Sequence, residues 1–327
     1  MAQRTFARTA LLLTALSAAA SANAQPPWQP QKAVEIVVPT AAGGINDQLA
    51  RVIQKTLQDQ KMKAPSVVMN KPGGNQALAV VYLTQHPADA HYLLYTTPTL
   101  FTNQLAGLTP ARYDALTPLA LLLVEHTVFT VRTDSHYRDM RELLAQLKSD
   151  PDAVAFGMVS RGGPNHLALA QAVRAAGADP RKLKIAVFKT NAESMTALVG
   201  GHLHAVASSL SAALPQVQAG RARILAITAP QRMTGTLAAV PTLAEQGVAV
   251  KVVSNWRAVF GARDITAQQV AYWEAALART VSSDEWKQQM EANQLQTRFM
   301  RSSELAAYLQ GEYEATRLVM ADLGLSK

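Results

Sequence analysis

Hydrophobic and polar positions follow two periods along this chain. Short apolar runs such as 34–38 are typical of buried strands, and the segments between them, such as 49–57, repeat apolar residues at helical spacing. With further apolar runs at 67–69 and 92–95, the first hundred residues alternate as strand, helix, strand, helix, strand. This order predicts α/β layers with a parallel sheet.

A long apolar stretch at 119–131 is interrupted by Glu125 and His126, and it predicts that the chain passes there from one lobe to another. A second α/β set follows. Its predicted strands lie at 154–157, 185–188, 206–208 and 224–227. A strand at 258–261 is expected to return to the first lobe, and three helices finish the chain. The predicted borders are a signal peptide at 1–24, lobe 1 at 25–128 and 255–327, and lobe 2 at 129–254.

Helix starts are marked by residues that cap a helix with a side-chain oxygen. Thr266 and Ser282 are each followed three residues later by Gln or Glu, the capping-box spacing. Asn46 and Ser303 are the other predicted caps.

The N-terminus has the three regions of a secretory signal peptide. Arg4 and Arg8 precede an apolar stretch at 11–20, and Ala22-Asn23-Ala24 supplies the small residues that a signal peptidase reads. The alternative is a cytosolic protein with an alanine-rich tail. We therefore expect a periplasmic mature protein that begins at Gln25. Because the chain has no cysteine, we expect it to have neither a lipid anchor nor a disulfide.

The net charge and the distribution of basic residues indicate which kinds of partner the protein binds. The formal net charge of +8 includes Arg4 and Arg8, which leaves +6 on the mature chain. This excess fits an anionic ligand or an acidic partner. Basic residues are scattered without a run of five or six, which disfavours nucleic acid. We expect a monomer without a cofactor.

Two loops carry the candidate chemistry. Residues 39–47 contain Gly43-Gly44, and residues 158–166 contain Gly162-Gly163; each loop joins a strand to a helix. Glycine lets backbone N–H groups approach a ligand, and a helix N-terminus adds free donors and a positive dipole end. Each loop alone is also consistent with an ordinary turn. Two such loops, one per lobe, predict a cleft for a ligand with a carboxylate at either end.

Other constellations are weaker. Ser160 and His166 could form a nucleophile and base, but the G-x-S-x-G elbow is absent. His202 and His204 lack a third metal ligand, so we expect neither a catalytic nor a metal site. Arg257 could pair with a carboxylate or brace the hinge.

At the level of whole motifs, Pro39-x-x-x-Gly43-Gly44-x-x-Asp47-x-x-Ala50-Arg51 resembles the first-loop signature of the Bug family, the extracytoplasmic solute receptors of tripartite tricarboxylate transporters. The resemblance continues through 70–74, 162–167, 197–202, 219–228 and, most specifically, 240–247.

This resemblance implies the type II periplasmic-binding-protein fold, with two lobes that close on a dicarboxylate, tricarboxylate or aromatic acid. The partners it implies are the membrane subunits of the transporter, or alternatively a sensor kinase. It also implies a set of ligand-binding residues on the two loops and, less directly, at strand ends. These are Ala41, Gly43, Gly44, Asp47, Ser160, Gly163, Asn165 and His166, with Thr97, Asn191 and Ser208 at the strand ends.

Three segments depart from the family pattern. Asn75-Gln76-Ala77 stands where the family usually has more glycine, and Asp89-Ala90-His91 replaces an Asp-Gly turn. Ala207-Ser208-Ser209 lacks an acidic residue that is often present there. The last change removes a partner for an ammonium group, so it favours a plain or aromatic carboxylate over an amine-bearing ligand.

Overall fold

The computed structural model describes residues 28–248, 250 and 254–327. The predicted signal peptide at 1–24 lies outside these residues. Two sheets, each covered by helices, form two lobes; lobe 1 is built on the six-stranded sheet and lobe 2 on the five-stranded sheet. No helix in the described part of the chain is long and apolar enough to cross a membrane.

The lobe 1 sheet has the strand order β11-β4-β10-β3-β1-β2. β1 pairs in parallel with β2 and β3, whereas β10 lies antiparallel between β3 and β4, and β11 pairs antiparallel with β4. The strand bounds are β1 Val34–Val38, β2 Ser66–Asn70, β3 Tyr92–Thr96, β4 Thr117–Glu125, β10 Asn255–Gly261 and β11 Gln296–Arg301. The first lobe is therefore discontinuous in sequence, as predicted.

The lobe 2 sheet has the strand order β7-β6-β8-β5-β9. β6 is parallel to β7 and β8, and β5 is antiparallel to β8 and β9. The strand bounds are β5 Thr127–Arg132, β6 Ala155–Met158, β7 Lys184–Val187, β8 Ala205–Ser209 and β9 Ala222–Ile227. The chain changes sheet at His126, between β4 and β5, whereas the sequence places the lobe border at 128.

Helices pack their apolar faces on these sheets. In chain order they are α1 Ile45–Asp59, α2 Ala77–Thr84, α3 Thr99–Leu105, α4 Met140–Ser149, α5 Pro164–Ala175, α6 Asn191–Val199, α7 Leu210–Gln218, α8 Ala267–Ser282, α9 Asp284–Ala292 and α10 Ser302–Leu323. In α1, Leu49, Ile53 and Leu57 recur at helical spacing and are all buried in the lobe 1 core. Phe129 and Phe156 lie in a separate core in lobe 2.

The predicted strands are confirmed to within three residues, but several helix starts are not. The Thr266 capping box on α8 is confirmed, whereas α9 is capped by Ser283 rather than Ser282. α10 begins at Ser302, so Ser303 is not its cap. α1 begins at Ile45 with Gly44 as N-cap, because the side chain of Asn46 instead accepts a hydrogen bond from Arg257.

Two elements escaped the sequence interpretation. β11 is mostly exposed, so it has no apolar run to mark it. α3 is one of the shortest helices, at 7 residues, and its N-cap Pro98 makes no side-chain cap bond. Both elements belong to lobe 1, and α3 places residues at the cleft.

Candidate functional site

A cavity of about 170 Å³ lies between the lobes. Its wall consists of main chain, small residues, amides and hydroxyl groups. Lobe 1 contributes Thr40, Gly43, Gly44, Ile45, Asn46, Gln48, Gln76, Thr97, Thr99, Asn255, Arg257 and Asn293. Lobe 2 contributes Val159, Ser160, Gly163, Pro164, Asn165, Thr190, Asn191, Ala192, Ser211, Ala212 and Pro215. Among the residues that the structure describes, the wall contains one charged residue, Arg257, and no aromatic ring.

The first glycine loop is folded by its own helix. Gly43 has a φ of +87°, a left-handed conformation that favours glycine, and its N–H donates to Asp47 Oδ2 at 3.0 Å. Gly44 is the N-cap of α1 and makes no side-chain cap bond. The first N–H groups of α1 have no acceptor within their own helix, and no capping side chain covers them.

Asp47 lies beneath this loop, where Arg51 Nε and Nη2 each donate to its carboxylate at 3.0 Å. Burial alone would raise the pKa of the Asp47 carboxyl. The hydrogen bonds from Arg51 and Gly43 outweigh burial, so the pKa falls below its usual value. Asp47 therefore stays ionised and paired, and it adds no uncompensated negative charge near the cavity.

The second glycine loop has the same construction with a different acceptor. Gly162 has a φ of +79°, and its N–H donates to His166 Nδ1 at 2.8 Å. Gly163 is the N-cap of α5, again without a side-chain cap bond. Burial, and secondarily the charge of Arg161, lowers the pKa of His166 to about 4. The imidazole is therefore neutral at pH 7 and can accept the Gly162 N–H.

Ser160 and His166 do not form a nucleophile and base pair. Ser160 Oγ donates to Asn75 Oδ1 at 2.7 Å, whereas His166 Nδ1 is occupied by Gly162. A nucleophilic serine needs a hydrogen bond to its base, and the described residues contain none between these two side chains.

Two more helices of lobe 2 begin at the cavity. Thr190 caps α6, where its hydroxyl accepts the N–H of Glu193, and Asn191 and Ala192 lie on the wall. Ser211 and Ala212 place the first turn of α7 there as well. With α1 and α5, four helices turn their N-terminal ends toward one cavity. Each brings a partial positive charge.

The two lobes touch around the cavity. A Cβ on Gly44 would lie 3.3 Å from Thr190 Cγ2, and a Cβ on Gly163 would lie 3.2 Å from Thr99 Oγ1. Each of these glycines therefore faces a threonine of the other lobe. The lobes are closed, and glycine at these positions allows that approach.

Asn75 ties the lobes together. Besides accepting from Ser160, its Nδ2 donates to the carbonyl oxygen of Arg161 at 3.0 Å. Asn103 holds Asn75 from lobe 1 through two hydrogen bonds of 2.7 Å. Asn75 and Gln76 have φ angles of +52° and +75°. The segment that departs from the family's glycine-rich pattern thus keeps a glycine-like backbone and adds side chains that reach across the cleft.

A buried ion pair lies at the floor of the cavity. Arg257 Nη2 donates to Glu125 Oε2 at 3.1 Å, with side-chain exposures of 5% and 2%. Arg257 Nε donates to Asn46 Oδ1 at 2.9 Å, and Nη1 to Asn255 Oδ1 at 2.6 Å. The other oxygen of Glu125 accepts from the N–H and hydroxyl of Ser211 in lobe 2, at 3.0 and 2.7 Å. The pair therefore connects both lobes.

Most of the residues proposed from sequence meet at the cavity. Those on its wall are Gly43, Gly44, Thr97, Ser160, Gly163, Asn165 and Asn191. Ala41, Asp47, His166 and Ser208 lie outside it. Asp47 and His166 are turned under their loops to accept glycine N–H groups. Ser208 is fully buried, and its hydroxyl donates to the carbonyl oxygen of Ser209.

Several wall residues were not selected from sequence. The polar ones are Thr40, Asn46, Gln48, Gln76, Thr99, Thr190, Ser211, Asn255 and Asn293. Thr190 and Ser211 stand at helix starts after predicted strands, a signal that could have found them. Asn255 and Asn293 come from distant segments, and no local pattern marks them.

One histidine of the pair in lobe 2 has a role in the fold. His204 Nδ1 accepts the N–H of Ala155 at 3.0 Å, so this nitrogen is used in the fold. No group of three or more His, Cys, Asp or Glu side chains suited to a metal ion occurs among residues 28–248, 250 and 254–327.

The sequences of known proteins are similar to this chain. The profile described as "Tripartite tricarboxylate transporter family receptor" matches residues 49–325. BugT of Bordetella pertussis is 29% identical over 242 residues, which cover 70% of this chain and 70% of BugT. A protein of the gbd 5′ region of Cupriavidus necator is 24% identical over 313 residues, covering 95% of this chain and 93% of that protein.

Solved structures agree in fold. Rpa4515 of R. palustris, solved with adipate, superposes with a TM-score of 0.82 at 23% identity, covering 91% of this chain and 99% of that one. MatC from Rhodopseudomonas palustris, with bound malate, gives 0.78 at 22% identity, covering 89% and 99%. Since the family profile spans most of its length, the chain belongs to the family of tripartite tricarboxylate transporter receptors.

Proposed function

We propose that this protein captures a small carboxylate in the periplasm, encloses it by lobe closure and presents it to the membrane subunits of a tripartite tricarboxylate transporter. One observation carries the proposal: four helix N-termini from both lobes converge on the cavity between the lobes, and none of the described residues on its wall is acidic.

The helix N-termini at the cavity favour a bound anion. Backbone N–H groups in the first turn of a helix lack partners in that helix and carry the positive end of its dipole. An anion placed among four such ends gains hydrogen bonds from the uncapped first turns of α1 and α5 and a favourable dipole from all four helices. Gly44 and Gly163, which carry no side chain, leave these donors open to the ligand.

The wall also limits the ligand. A cavity of about 170 Å³ admits a compact molecule, and amide and hydroxyl side chains suit carboxylate or hydroxyl oxygens. Within the described ranges, the wall offers neither an aromatic ring to stack on nor an acid to pair with ammonium. Among the classes that the family resemblance suggests, this favours a short aliphatic di- or hydroxycarboxylate. Adipate and malate, bound by the two relatives, belong to this class.

The residues fall into two groups under this proposal. The ligand contacts are the seven predicted residues on the wall: Gly43, Gly44, Thr97, Ser160, Gly163, Asn165 and Asn191. Asp47 and His166 act indirectly, because each fixes the glycine whose loop presents the N–H donors.

The location follows from the signal-peptide pattern at 1–24 together with the family. A receptor in this setting works by presenting the closed, loaded form to its membrane partner. Ligand binding must therefore favour closure, which requires contacts to both lobes. The cavity wall provides them from both sides.

The test is a melting-shift screen of the mature protein with succinate, malate, adipate and citrate. Ligand at 100 times its Kd should stabilise the folded state by about 2.7 kcal/mol, a rise in Tm of several degrees. Succinamide, with the same skeleton and no charge, is the matched control and should give no shift. If no carboxylate moves the transition, the proposed function is wrong.

A further inference from the structure

We infer that Arg257, which lies in neither glycine loop, is a ligand-binding residue. One N–H of its guanidinium has no partner in the part of the protein that the structure describes, and it donates a hydrogen bond to a second carboxylate of the bound molecule. The inference rests on the proposed function, because it names one more contact in the same cavity. Three observations lead to it: the hydrogen-bond accounting of the guanidinium, its position on the wall, and its counter-ion.

One N–H of the Arg257 guanidinium has no acceptor among the described residues. A guanidinium has five N–H groups. Nε uses its one N–H on Asn46, and Nη1 uses its two on Asn255 and the main chain beside it. Nη2 has two, and Glu125 is its only acceptor in the described ranges. One charged N–H thus remains without a protein partner on a side chain that is 95% buried.

Burying a charged donor without an acceptor is costly, so its surroundings show where its partner belongs. Arg257 lies on the cavity wall together with Asn46, Asn255 and Ser211, which hold its network in place. Because Arg257 is part of this wall, we assign its free N–H to a group bound in the cavity. A carboxylate oxygen there would complete its hydrogen bonding and receive a short, charge-assisted bond.

Glu125 sets the geometry. Its Oε2 accepts from Arg257, and its Oε1 accepts twice from Ser211 at the start of α7. Glu125 does not line the cavity, and its negative charge is paired with Arg257 instead of facing the ligand. Glu125 is therefore a positioning residue. It holds the guanidinium still and ties it to the lobe that must close.

The consequence is selectivity. Helix N-termini accept any carboxylate, whatever it is attached to. A fixed cation at the floor adds a requirement for a second negative group, so the protein should prefer a dicarboxylate to its monoamide. Without the cation this preference should weaken, because only the helix N-termini and the neutral amide and hydroxyl groups of the wall remain to bind the second carboxylate.

The experiment measures Kd by calorimetry for succinate and succinamate, and for malate and adipate with their monoamides. Wild type should bind the dicarboxylate of at least one pair roughly tenfold or more tightly than its monoamide, the difference expected of one charged hydrogen bond. The double variant Glu125→Gln with Arg257→Gln avoids an unpaired buried charge and should lower this ratio roughly fivefold or more.

Two controls separate binding from structure. Glu125→Gln alone removes the negative charge but keeps the cation and an amide oxygen that can accept from it, so the ratio should stay above that of the double variant. Arg223→Gln removes an arginine that donates to main-chain carbonyls of Ser135 and Tyr137 in lobe 2, and it should leave the ratio unchanged. Equal collapse in Glu125→Gln and in the double variant would assign the effect to a disturbed network and overturn the inference.

The outcomes also separate this inference from the proposed function. If wild type binds none of these carboxylates, the proposed function fails and the inference falls with it. If wild type binds them and the double variant keeps the wild-type ratio, the receptor function stands and Arg257 is only a brace.

Discussion

The two glycine loops have the same backbone geometry but are held by different acceptors, one charged and one neutral. In each, a glycine in the left-handed region precedes an N-cap glycine, and the side chain four residues beyond the first glycine accepts its N–H. In lobe 1 that acceptor is Asp47, charged and paired with Arg51. In lobe 2 it is His166, buried and neutral.

The difference shows what the site demands. The backbone geometry is the same on both sides, so the donors at the cavity are equivalent. What must be avoided is free negative charge beside an anion site. Lobe 1 achieves this by pairing its carboxylate, and lobe 2 by using an uncharged acceptor. The price of the second solution is sensitivity to acid, because protonated imidazole cannot accept a hydrogen bond.

Acid should therefore break the similarity between the loops. The pKa of His166 falls from 6.5 to about 4 on folding, so the unfolded chain binds more protons between these values. The stability that comes from neutral His166 is complete above pH 6.5 and is lost as the pH falls toward 4. This loss should reach about 3 kcal/mol. Urea unfolding between pH 7.5 and 4 measures it.

Two variants locate that pH dependence. His166→Asn keeps an acceptor for the Gly162 N–H but does not titrate, so its stability should change less over the same window. Asp47→Asn should keep the wild-type slope, because the lowered pKa of Asp47 places its own loss below about pH 4. Parallel curves for wild type and His166→Asn would contradict the assignment.

A side chain at Gly44 should disturb closure rather than folding. Gly44 has an ordinary extended conformation, so alanine costs little backbone energy, but its Cβ would lie 3.3 Å from Thr190 Cγ2 across the cleft. We expect Gly44→Ala to weaken carboxylate binding roughly tenfold, about 1.4 kcal/mol, with the Tm of the unliganded protein unchanged. Gly44→Val should weaken it further.

Thr190→Ser provides the rescue. Serine removes Cγ2 but keeps the hydroxyl that caps α6 through Glu193. The double variant Gly44→Ala with Thr190→Ser should recover most of the lost affinity in calorimetry. Failure to recover it would mean that Gly44 matters for the approach of the ligand and not for the approach of the lobes.

Asn75 should give the smallest effect. Asn75→Gly preserves the left-handed backbone, with a φ of +52°. It removes the side-chain bonds across the cleft to Ser160 and Arg161, together with the bond to Asn103 within lobe 1. Losing these partly exposed bonds should reduce affinity by a few fold, about 1 kcal/mol. Small-angle scattering of the unliganded variant should show a larger mean radius than wild type. An unchanged radius and Kd would mean that the tie does not favour closure.

The sequence was informative where the signal is local. Apolar runs such as 34–38 and 119–131 located the strands and the crossing between lobes, because buried strands leave long hydrophobic runs. Both glycine loops were found for the same reason, since a strand, a turn and a helix start adjoin in sequence. The loops also account for most of the predicted residues on the cavity wall.

The rest depends on contacts between distant segments. Glu125 and Arg257 are 132 residues apart, and only the packing of β4 beside β10 brings them together. Asn46 looked like a helix cap because asparagine often is one, yet Arg257 recruits its side chain. Similarly, Ser160 was a candidate nucleophile, but its hydroxyl donates to Asn75 across the cleft and not to His166.

The contact of Gly44 with Thr190, together with the tie at Asn75, also bears on time. A ligand held behind touching lobes leaves only after they part, so its residence time is set by the opening step rather than by its own hydrogen bonds. A membrane partner need not compete for the carboxylate. A membrane partner that binds both lobes and separates them at these contacts would release the ligand. The ligand would then pass from this protein to the partner, because the partner causes the opening.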